Sequence, residues 1–197
     1  MRQAGLRVAF MLLIFGIAVS SAFPAESPVD KGSVMVGGGG VFSSLSGKLY
    51  EDNGKGASLV LLYPSLSFFP ARGLAVGGQL LLGSFSQGKH SANVSGIGPR
   101  LAYYFGAGKG DRHGKGRTYP YFTASVLLGQ VSANDVVDKV TGTLVTFGGG
   151  INYMVANSIG LSAEVNYRSD ALKDEHDRSE SGHSINVMVG FLLFLWE

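Results

Sequence analysis

Apolar and polar residues alternate with a period of two along most of the chain beyond residue 30. In the clearest segment, 159–168, the odd positions are all apolar or aromatic, and the even positions are glycine, polar or charged. Such alternation over about ten residues predicts a strand with one apolar face. Eight segments show it, the others with more exceptions: 33–44, 58–69, 74–85, 93–105, 119–130, 142–155, 159–168 and 184–196.

The last of these segments changes character part-way along. It alternates from Ser184 to Gly190, and the six residues that follow, up to Trp196, are all apolar. A bulge in the strand and a local turn out of the barrel wall both explain a loss of alternation. We expect one of the two at this end of the eighth strand.

The polar faces of the segments indicate which side of the predicted sheet meets water. They are built of glycine, serine, threonine, asparagine and alanine, whereas a water-exposed sheet face would carry many lysine, glutamate and arginine side chains. Small polar residues fit the narrow interior of an eight-stranded barrel, and uncharged apolar faces suit lipid. We therefore predict an eight-stranded antiparallel up-and-down transmembrane β-barrel. The alternative is a soluble periplasmic barrel that binds an apolar ligand inside.

The connections between the segments fit this topology. With the N-terminus in the periplasm, the even-numbered connections face inward, towards the periplasm, and the odd-numbered ones face outward. Two of the inward connections, 70–73 and 156–158, are short, as periplasmic turns of such barrels are. The middle inward connection, 106–118, is long, glycine-rich and basic, so it departs from the pattern of short periplasmic turns. The outward loops are polar and comprise residues 47–57, 86–92, 132–141 and 169–183.

Residues 1–22 have the pattern of a secretory signal peptide. Arg2 and Arg7 precede the apolar run 8–19, and small residues end this segment at Ala22. A run of 12 residues is too short for a membrane helix, which needs about 20. We divide the chain into a cleaved signal peptide (1–22), an N-terminal periplasmic segment (23–30) and an outer-membrane barrel domain (31–197).

Charge and composition narrow the function classes. Removing the signal peptide takes two of the 16 basic residues and no acidic one, which leaves 14 basic against 14 acidic residues. A neutral mature chain gives no reason to expect nucleic-acid binding. The chain has no cysteine, so disulfides and thiolate metal sites are excluded, and we predict no cofactor. Glycine is 30 of 197 residues, about twice the usual roughly 7%, so the fold needs many small positions.

Within the interiors of the predicted strands only Arg100 and Glu164 are charged, and both lie on polar faces. A charge inside a barrel needs a partner, because an isolated buried charge is costly. We expect the two to meet or to join a polar network with Tyr104, Tyr121 and Asn166. A structural network is favoured, and a gate or a proton relay is the alternative.

Several strand sequences resemble the bacterial outer-membrane β-barrel domain family, relatives of the OmpA and OmpW barrels. The resembling stretches are 63–69 with 74–78, 97–105 with 119–122, and 147–153 through 164–168. The resemblance implies the barrel fold and an outer-membrane location, and it carries over no catalytic residue. Such proteins usually end on an aromatic residue that the barrel-assembly machinery recognises. Here Trp196 would serve that role one residue before Glu197.

Three other polar stretches of the sequence contain residue types that could carry chemistry. The charged segment 169–183 is interpreted as a solvated loop, with divalent-cation binding near lipopolysaccharide as the alternative. His183 and Ser184 are the candidates for hydrolytic chemistry, but neighbours on a strand point to opposite faces. The pair Gly114-Lys115 lacks the spacing and hydroxyl residue of a phosphate loop. We predict no catalytic, cofactor-binding or metal-binding residue.

The sequence thus predicts a non-enzymatic integral outer-membrane barrel with a structural, surface-interaction or narrow-permeability role. The alternative is an outer-membrane enzyme that modifies lipid A or phospholipids. Expected partners are outer-membrane lipid and lipopolysaccharide, the barrel-assembly machinery through the last strand, and an extracellular ligand at the outward loops. We expect a monomer.

Overall fold

The computed structural model of the chain describes residues 27–45, 57–88, 90–106, 114–133, 140–173 and 179–196. Eight antiparallel strands close into one barrel in sequence order, and the predicted fold class is confirmed. The predicted signal peptide lies outside the described residues. The strands are β1 (Val34–Leu45), β2 (Ala57–Ala71), β3 (Leu74–Gln87), β4 (His90–Tyr104), β5 (Thr118–Ala133), β6 (Val140–Met154), β7 (Ile159–Lys173) and β8 (Ser179–Leu195).

The two ends of the barrel differ in their connections. At one end, here called the turn end, Arg72 and Gly73 join β2 to β3, and residues 155–158 join β6 to β7. The start of β1 and the end of β8 pair at the same end, as Val34 with Leu195. The opposite end, here called the loop end, is where the segments 46–56, 88–89, 134–139 and 174–178 connect successive strands.

The strands are longer than the alternation predicted, and two predicted outward loops are therefore too long. The ladder between β7 and β8 continues to the pair Lys173 and Ser179, so most of the predicted loop 169–183 is strand. Likewise β3 and β4 pair as far as Gln87 and His90. Polar residues can extend these strands because the ladder is made by backbone hydrogen bonds, which do not require an apolar face.

The predicted bulge or turn in the eighth strand is wrong. β8 keeps one register with β7 and with β1 through its last residues. Phe191 and Leu193 are exposed on the outside, whereas Leu192 and Phe194 are 4% and 1% exposed and lie inside. The alternation disappears from the sequence because the lumen itself is apolar at the turn end.

The lumen is less uniform than the predicted filling of small polar residues. A buried apolar cluster occupies the turn end and includes Met35, Phe69, Tyr104 and Phe194. A second apolar cluster lies towards the loop end and consists of Leu61, Tyr63, Leu81, Leu127, Leu144 and Met188. Buried polar side chains lie between these clusters and beside them. Large apolar residues thus fill much of the barrel, and the expectation that small polar residues fill its interior is corrected.

Residues 27–33 fold across the turn end and help to close it. Val29 is fully buried, and its carbonyl accepts a hydrogen bond of 2.8 Å from the Gly73 N–H. The Gly32 N–H donates to the Phe69 carbonyl at 2.9 Å, and the Phe69 N–H donates to the Ser33 carbonyl at 2.9 Å. Residues 27–30, which fall in the predicted N-terminal periplasmic segment 23–30, are thus packed against the turn end of the barrel.

Glycine allows neighbouring strands to approach closely at several positions, of which Gly98 is a clear case. A Cβ atom at Gly98 in β4 would overlap the carbonyl oxygen of Val126 in β5. At Gly182 in β8, by contrast, a Cβ would meet no atom within 4 Å. The glycine excess of the sequence is therefore explained in part by close backbone contacts in the barrel wall.

We expect Gly98→Ala to lower the free energy of unfolding by about 1–3 kcal/mol, because the new methyl group forces β4 and β5 apart. The measurement is urea unfolding of the barrel in lipid vesicles. Gly182→Ala is the matched control, and its effect should stay within about 0.5 kcal/mol. Equal effects of the two changes would contradict the steric explanation.

Candidate functional site

Glu164 of β7 lies at the centre of the buried polar groups in the lumen. Its carboxylate accepts a hydrogen bond of 2.9 Å from the Tyr121 hydroxyl at Oε2 and one of 3.2 Å from Asn166 Nδ2 at Oε1. Arg100 Nη2 lies 3.9 Å from Oε2. Four of the five residues predicted for an interior network are therefore in direct contact around one carboxylate.

Arg100 reaches this carboxylate from β4, across the lumen from β7. Its side chain is 7% exposed, and its Nη1 atom has no hydrogen-bond partner among the described residues. The guanidinium borders a cavity of about 20 Å³ that Glu164 and Tyr121 also line. That space suffices for about one water molecule. The arrangement can hold a buried ion pair, and it leaves little room for a solute.

Tyr104 contacts the network through its aromatic ring. The ring stacks on Tyr121 with centroids 5.0 Å apart, and its hydroxyl donates to Met35 Sδ at 3.2 Å. Asn186 of β8, which the sequence reasoning did not include, donates from Nδ2 to Asn166 Oδ1 at 3.1 Å. Its position on the polar face of the last predicted strand was the available signal. The role of these residues stays a prediction.

A second polar cluster lies on β7 towards the loop end. Arg168 Nη1 donates to the Tyr63 hydroxyl at 3.2 Å, and Arg168 Nε lies 2.9 Å from Asp170 Oδ1. The side chains of Arg168 and Asp170 are 14% and 18% exposed. This cluster was not predicted, because the alternation in the sequence ends at Arg168 and Asp170 falls in the predicted loop 169–183.

An ion pair fastens the N-terminal segment at the turn end. Arg72 donates to Asp30 from Nε at 3.2 Å and from Nη2 at 3.0 Å, and the Lys31 N–H donates to Asp30 Oδ1 at 2.8 Å. Burial raises the pKa of Asp30, but the hydrogen bonds from Arg72 and Lys31 and the Arg72 charge outweigh it. The pKa of Asp30 is therefore lowered from 3.8. The pair stabilises the folded state when the carboxylate is ionised.

Because the folded-state pKa of Asp30 is depressed, the ion pair with Arg72 stabilises the folded state above pH 3.8. This stabilisation is lost as the pH falls through the lower folded-state pKa. We expect Asp30→Asn to weaken closure of the turn end by about 0.5–1 kcal/mol at neutral pH. Hydrogen exchange of the Gly73 amide, which bonds to Val29, measures this. The difference between wild type and Asp30→Asn should vanish in acid, and a difference that persists there would contradict the ion-pair account.

The outer surface of the barrel is an apolar belt. Every strand contributes exposed large apolar side chains, among them Phe42, Leu128, Val165 and Ile185. The predicted facing of segment 159–168 is confirmed, since Val165 is 53% exposed whereas Glu164 is 8% exposed. Monomeric soluble proteins rarely expose contiguous apolar areas larger than a few hundred Å². A belt around the whole barrel suits contact with hydrocarbon.

The candidate hydrolytic pair does not meet. The exposed His183 ring stacks on Tyr167 with centroids 5.6 Å apart, and the Ser184 hydroxyl accepts a hydrogen bond of 3.3 Å from Asn186 Nδ2. Tyr167 belongs to the outer face and the buried Asn186 to the lumen. His183 and Ser184 therefore interact on opposite faces of β8.

Other suggested sites fall largely outside the described residues. The acidic residues and histidine at 174–178, on which cation binding would depend, lie there, as do residues 107–113 of the basic connection. Within the described ranges, no group of three or more histidine, aspartate or glutamate side chains is placed to hold a metal ion. Nor does the described part of the chain contain a helix long and apolar enough to cross a membrane.

Comparison with solved structures identifies the fold. The barrel matches neisserial surface protein A (NspA) with a TM-score of 0.57 and 16% identity, covering 82% of this chain and 94% of that one. It matches the N-terminal β-barrel domain of Pseudomonas aeruginosa OprF with a TM-score of 0.53 and 14% identity, covering 84% and 98%. The chain has the fold of the small outer-membrane barrels. The predicted resemblance is thereby confirmed at the level of fold, which is what likeness at such identities can show. No protein-family model matches the sequence, and no curated protein matches it.

Proposed function

We propose that this chain is an integral outer-membrane protein whose closed barrel anchors its loop-end segments at the cell surface. The observation that carries the proposal is the combination of an apolar exterior with a filled interior. All eight strands expose large apolar side chains outward, and two apolar clusters occupy the lumen. This combination suits a protein that is embedded in lipid and conducts little through its centre.

The exterior supports a membrane location over a soluble barrel. A soluble barrel that binds an apolar ligand would turn its apolar faces inward and its charged faces to water. Here Phe122, Phe147 and Phe191 are 65%, 59% and 65% exposed on the outside. A closed barrel also satisfies the backbone of its strands internally, as hydrocarbon requires. Export by the predicted signal peptide 1–22 completes this proposal.

The interior supports a structural role over a diffusion pore. Leu81, Leu127 and Leu144 towards the loop end, and Met154 at the turn end, are all 1% exposed or less. Between the two clusters the Arg100 and Glu164 pair leaves a cavity of only about 20 Å³. An eight-stranded barrel is just wide enough for its own side chains. The network around Glu164 then fixes the interior, and we assign it no gating role.

The loop end supplies the contact surface in this proposal. The segments 46–56, 134–139 and 174–178, which lie outside the described residues, join strands that end there. Lipopolysaccharide or an extracellular ligand would meet the protein at these segments. A lipid-modifying enzyme remains the alternative, but His183 and Ser184 interact on opposite faces of β8, so no observation favours it.

Two measurements on the full chain test the proposal. After expression with its signal peptide, the protein should sediment with outer membranes, resist alkaline extraction and change gel mobility on heating. In planar bilayers the refolded mature protein should produce no steady ion conductance. A monomer that is soluble without detergent would overturn the membrane location, and a steady conductance would overturn the closed interior.

A further inference from the structure

The cavity beside Glu164 is small and polar. Its volume of about 20 Å³ exceeds the roughly 10–15 Å³ that one water molecule needs, and an internal water molecule also needs about two to four polar partners. The polar residues Tyr63, Arg100, Tyr121, Ser162 and Glu164 are among those that line the cavity. The cavity therefore meets both conditions for holding one water molecule.

The ion pair of Arg100 and Glu164 leaves a gap at this cavity. Arg100 Nη2 and Glu164 Oε2 are 3.9 Å apart, whereas N–H···O hydrogen bonds are about 2.7–3.2 Å long. Two polar groups separated by more than about 3.5 Å are candidates for a bridging water molecule. Both residues line the cavity, so a water molecule there can accept a hydrogen bond from the guanidinium and donate one to the carboxylate.

A buried donor of Arg100 also requires an acceptor. The Nη1 atom has no hydrogen-bond partner among the described residues, and the side chain is 7% exposed. A buried donor without an acceptor costs its full desolvation penalty, which is larger for a charged group. A water molecule supplies the acceptor without adding charge. A bound anion would instead place a second negative charge beside Glu164, so a neutral ligand suits the site better.

Tyr63 offers the water molecule a further partner. Its hydroxyl accepts a hydrogen bond of 3.2 Å from Arg168 Nη1, and Tyr63 lines the cavity. A hydroxyl that accepts one hydrogen bond still has a hydrogen atom of its own to donate. A donation from Tyr63 to the water molecule would join the cluster of Arg168 and Asp170 to the network around Glu164.

We propose that one internal water molecule occupies this cavity and bridges Arg100 and Glu164. It accepts hydrogen bonds from the guanidinium and from the Tyr63 hydroxyl, and it donates one to the Glu164 carboxylate. The two polar clusters of the lumen then form one network that connects β2, β4 and β7. This inference deepens the structural role that we propose for the interior and rests on it, whereas it does not depend on the membrane location.

The test is a crystal structure of the refolded mature protein at a resolution that shows ordered water. Density for one water molecule is expected within hydrogen-bond distance of the Arg100 guanidinium and of Glu164 Oε2. Gly39→Ala should abolish this density by filling the cavity from β1. A Cβ atom at Gly39 would lie 3.3 Å from the Val189 carbonyl oxygen and 3.4 Å from Met188 Cβ, and both Gly39 and Met188 line the cavity.

A second filling change and a matched control accompany this variant. Ser162→Val fills the same cavity from β7. The control is Gly182→Ala in β8, where a Cβ would meet no atom within 4 Å and which does not line the cavity, so this variant should keep the water molecule. In urea unfolding, each filling variant should lower the equilibrium constant for folding about tenfold relative to the control, because Arg100 loses a hydrogen bond. Heat-modified gel mobility checks that each variant is folded.

Two results in the crystals would overturn the bridging water. One is a wild-type cavity without density, in which Arg100 Nη2 contacts Glu164 directly, and the other is density that persists in both filling variants. Crystals grown with bromide distinguish water from an anion, because an anomalous signal at this position would show a bound anion and overturn the proposal. Failure of the proposed closed interior would appear separately, as a steady ion conductance.

The contribution of Tyr63 is tested by a double-mutant cycle with urea unfolding. The combined effect of Tyr63→Phe and Arg100→Met on the equilibrium constant for folding should differ from the product of the single effects by a factor of about five. Tyr63→Phe with Met154→Leu at the turn end is the control pair, and these two effects should multiply to within a factor of about two. Equal coupling in the two cycles would overturn the link through Tyr63.

Discussion

Glu164→Gln is expected to lower the free energy of unfolding by about 3–5 kcal/mol, because it leaves the Arg100 charge buried without a counter-charge. Glutamine keeps the size of the side chain and can still accept the hydrogen bond that Tyr121 donates at 2.9 Å. The substitution therefore removes the negative charge and leaves the size of the side chain and its hydrogen bond from Tyr121 unchanged. Urea unfolding in lipid vesicles and heat-modified gel mobility measure the loss.

Removing the positive partner, Arg100, should lower the free energy of unfolding by less than removing the carboxylate does. After Arg100→Met the Glu164 carboxylate keeps the hydrogen bonds from Tyr121 and Asn166, whereas after Glu164→Gln the Arg100 charge has no carboxylate beside it. Arg100→Met should therefore be milder than Glu164→Gln, and combining Arg100→Met with Glu164→Leu should recover much of the loss. Asp170→Asn is the control at a carboxylate that is 18% exposed, and it should cost about 1 kcal/mol or less. An unchanged unfolding midpoint in Glu164→Gln would contradict a structural role for the network.

The second large effect is expected on the outer face. Val126→Arg should lower the free energy of unfolding in lipid vesicles by about 2–4 kcal/mol, the usual cost of arginine at the bilayer midplane of a barrel. Val126 lies in the middle of β5, is 46% exposed and pairs with Val145. The same urea titration measures the effect.

The control for this change must lie outside the apolar belt and outside the lumen. Ser86 meets both conditions, since it is exposed near the loop end of β3, and Ser86→Arg should change stability by less than about 0.5 kcal/mol. Ser125 would be a poor control, because it is buried and pairs with Arg100, so an arginine there would crowd a like charge. Equal tolerance of arginine at positions 126 and 86 would contradict a lipid-facing belt.

The outer face of the barrel could be predicted from the sequence because its chemistry is uniform. Over residues 159–167 of β7 the odd positions, such as Val165, are exposed on the outside and apolar or aromatic, so the period of two is plain. At the turn end both faces are apolar, and residues such as Leu192 and Phe194 therefore carry no information about which side they face. In the sequence, such a loss of contrast looks the same as a break in the strand.

For the candidate site, the sequence predicts the face on which each residue lies and, because a buried charge needs a partner, a contact between Arg100 and Glu164 or a shared polar network; it does not predict the geometry. The alternation of each strand assigns Arg100 and Glu164 to the lumen. Their strands, β4 and β7, are not neighbours, so the distance of 3.9 Å between Arg100 Nη2 and Glu164 Oε2 depends on how the barrel closes and how its strands tilt. The contact between Asp30 and Arg72 could not be predicted, because residues 23–30 have no periodic pattern that would position them. Long-range contacts of this kind are set by closure, which local patterns do not encode.

The central claim is that the outer face of the barrel contacts lipid and not water. The chain has no cysteine, so a single nitroxide label can be attached to Val165→Cys in refolded protein in lipid vesicles, with Ser86→Cys as the water-exposed reference. We predict that the label at position 165 collides readily with oxygen dissolved in the bilayer and rarely with a water-soluble nickel chelate, and that position 86 shows the reverse. A label at position 165 as accessible to the nickel chelate as the label at position 86 would contradict the lipid-facing belt.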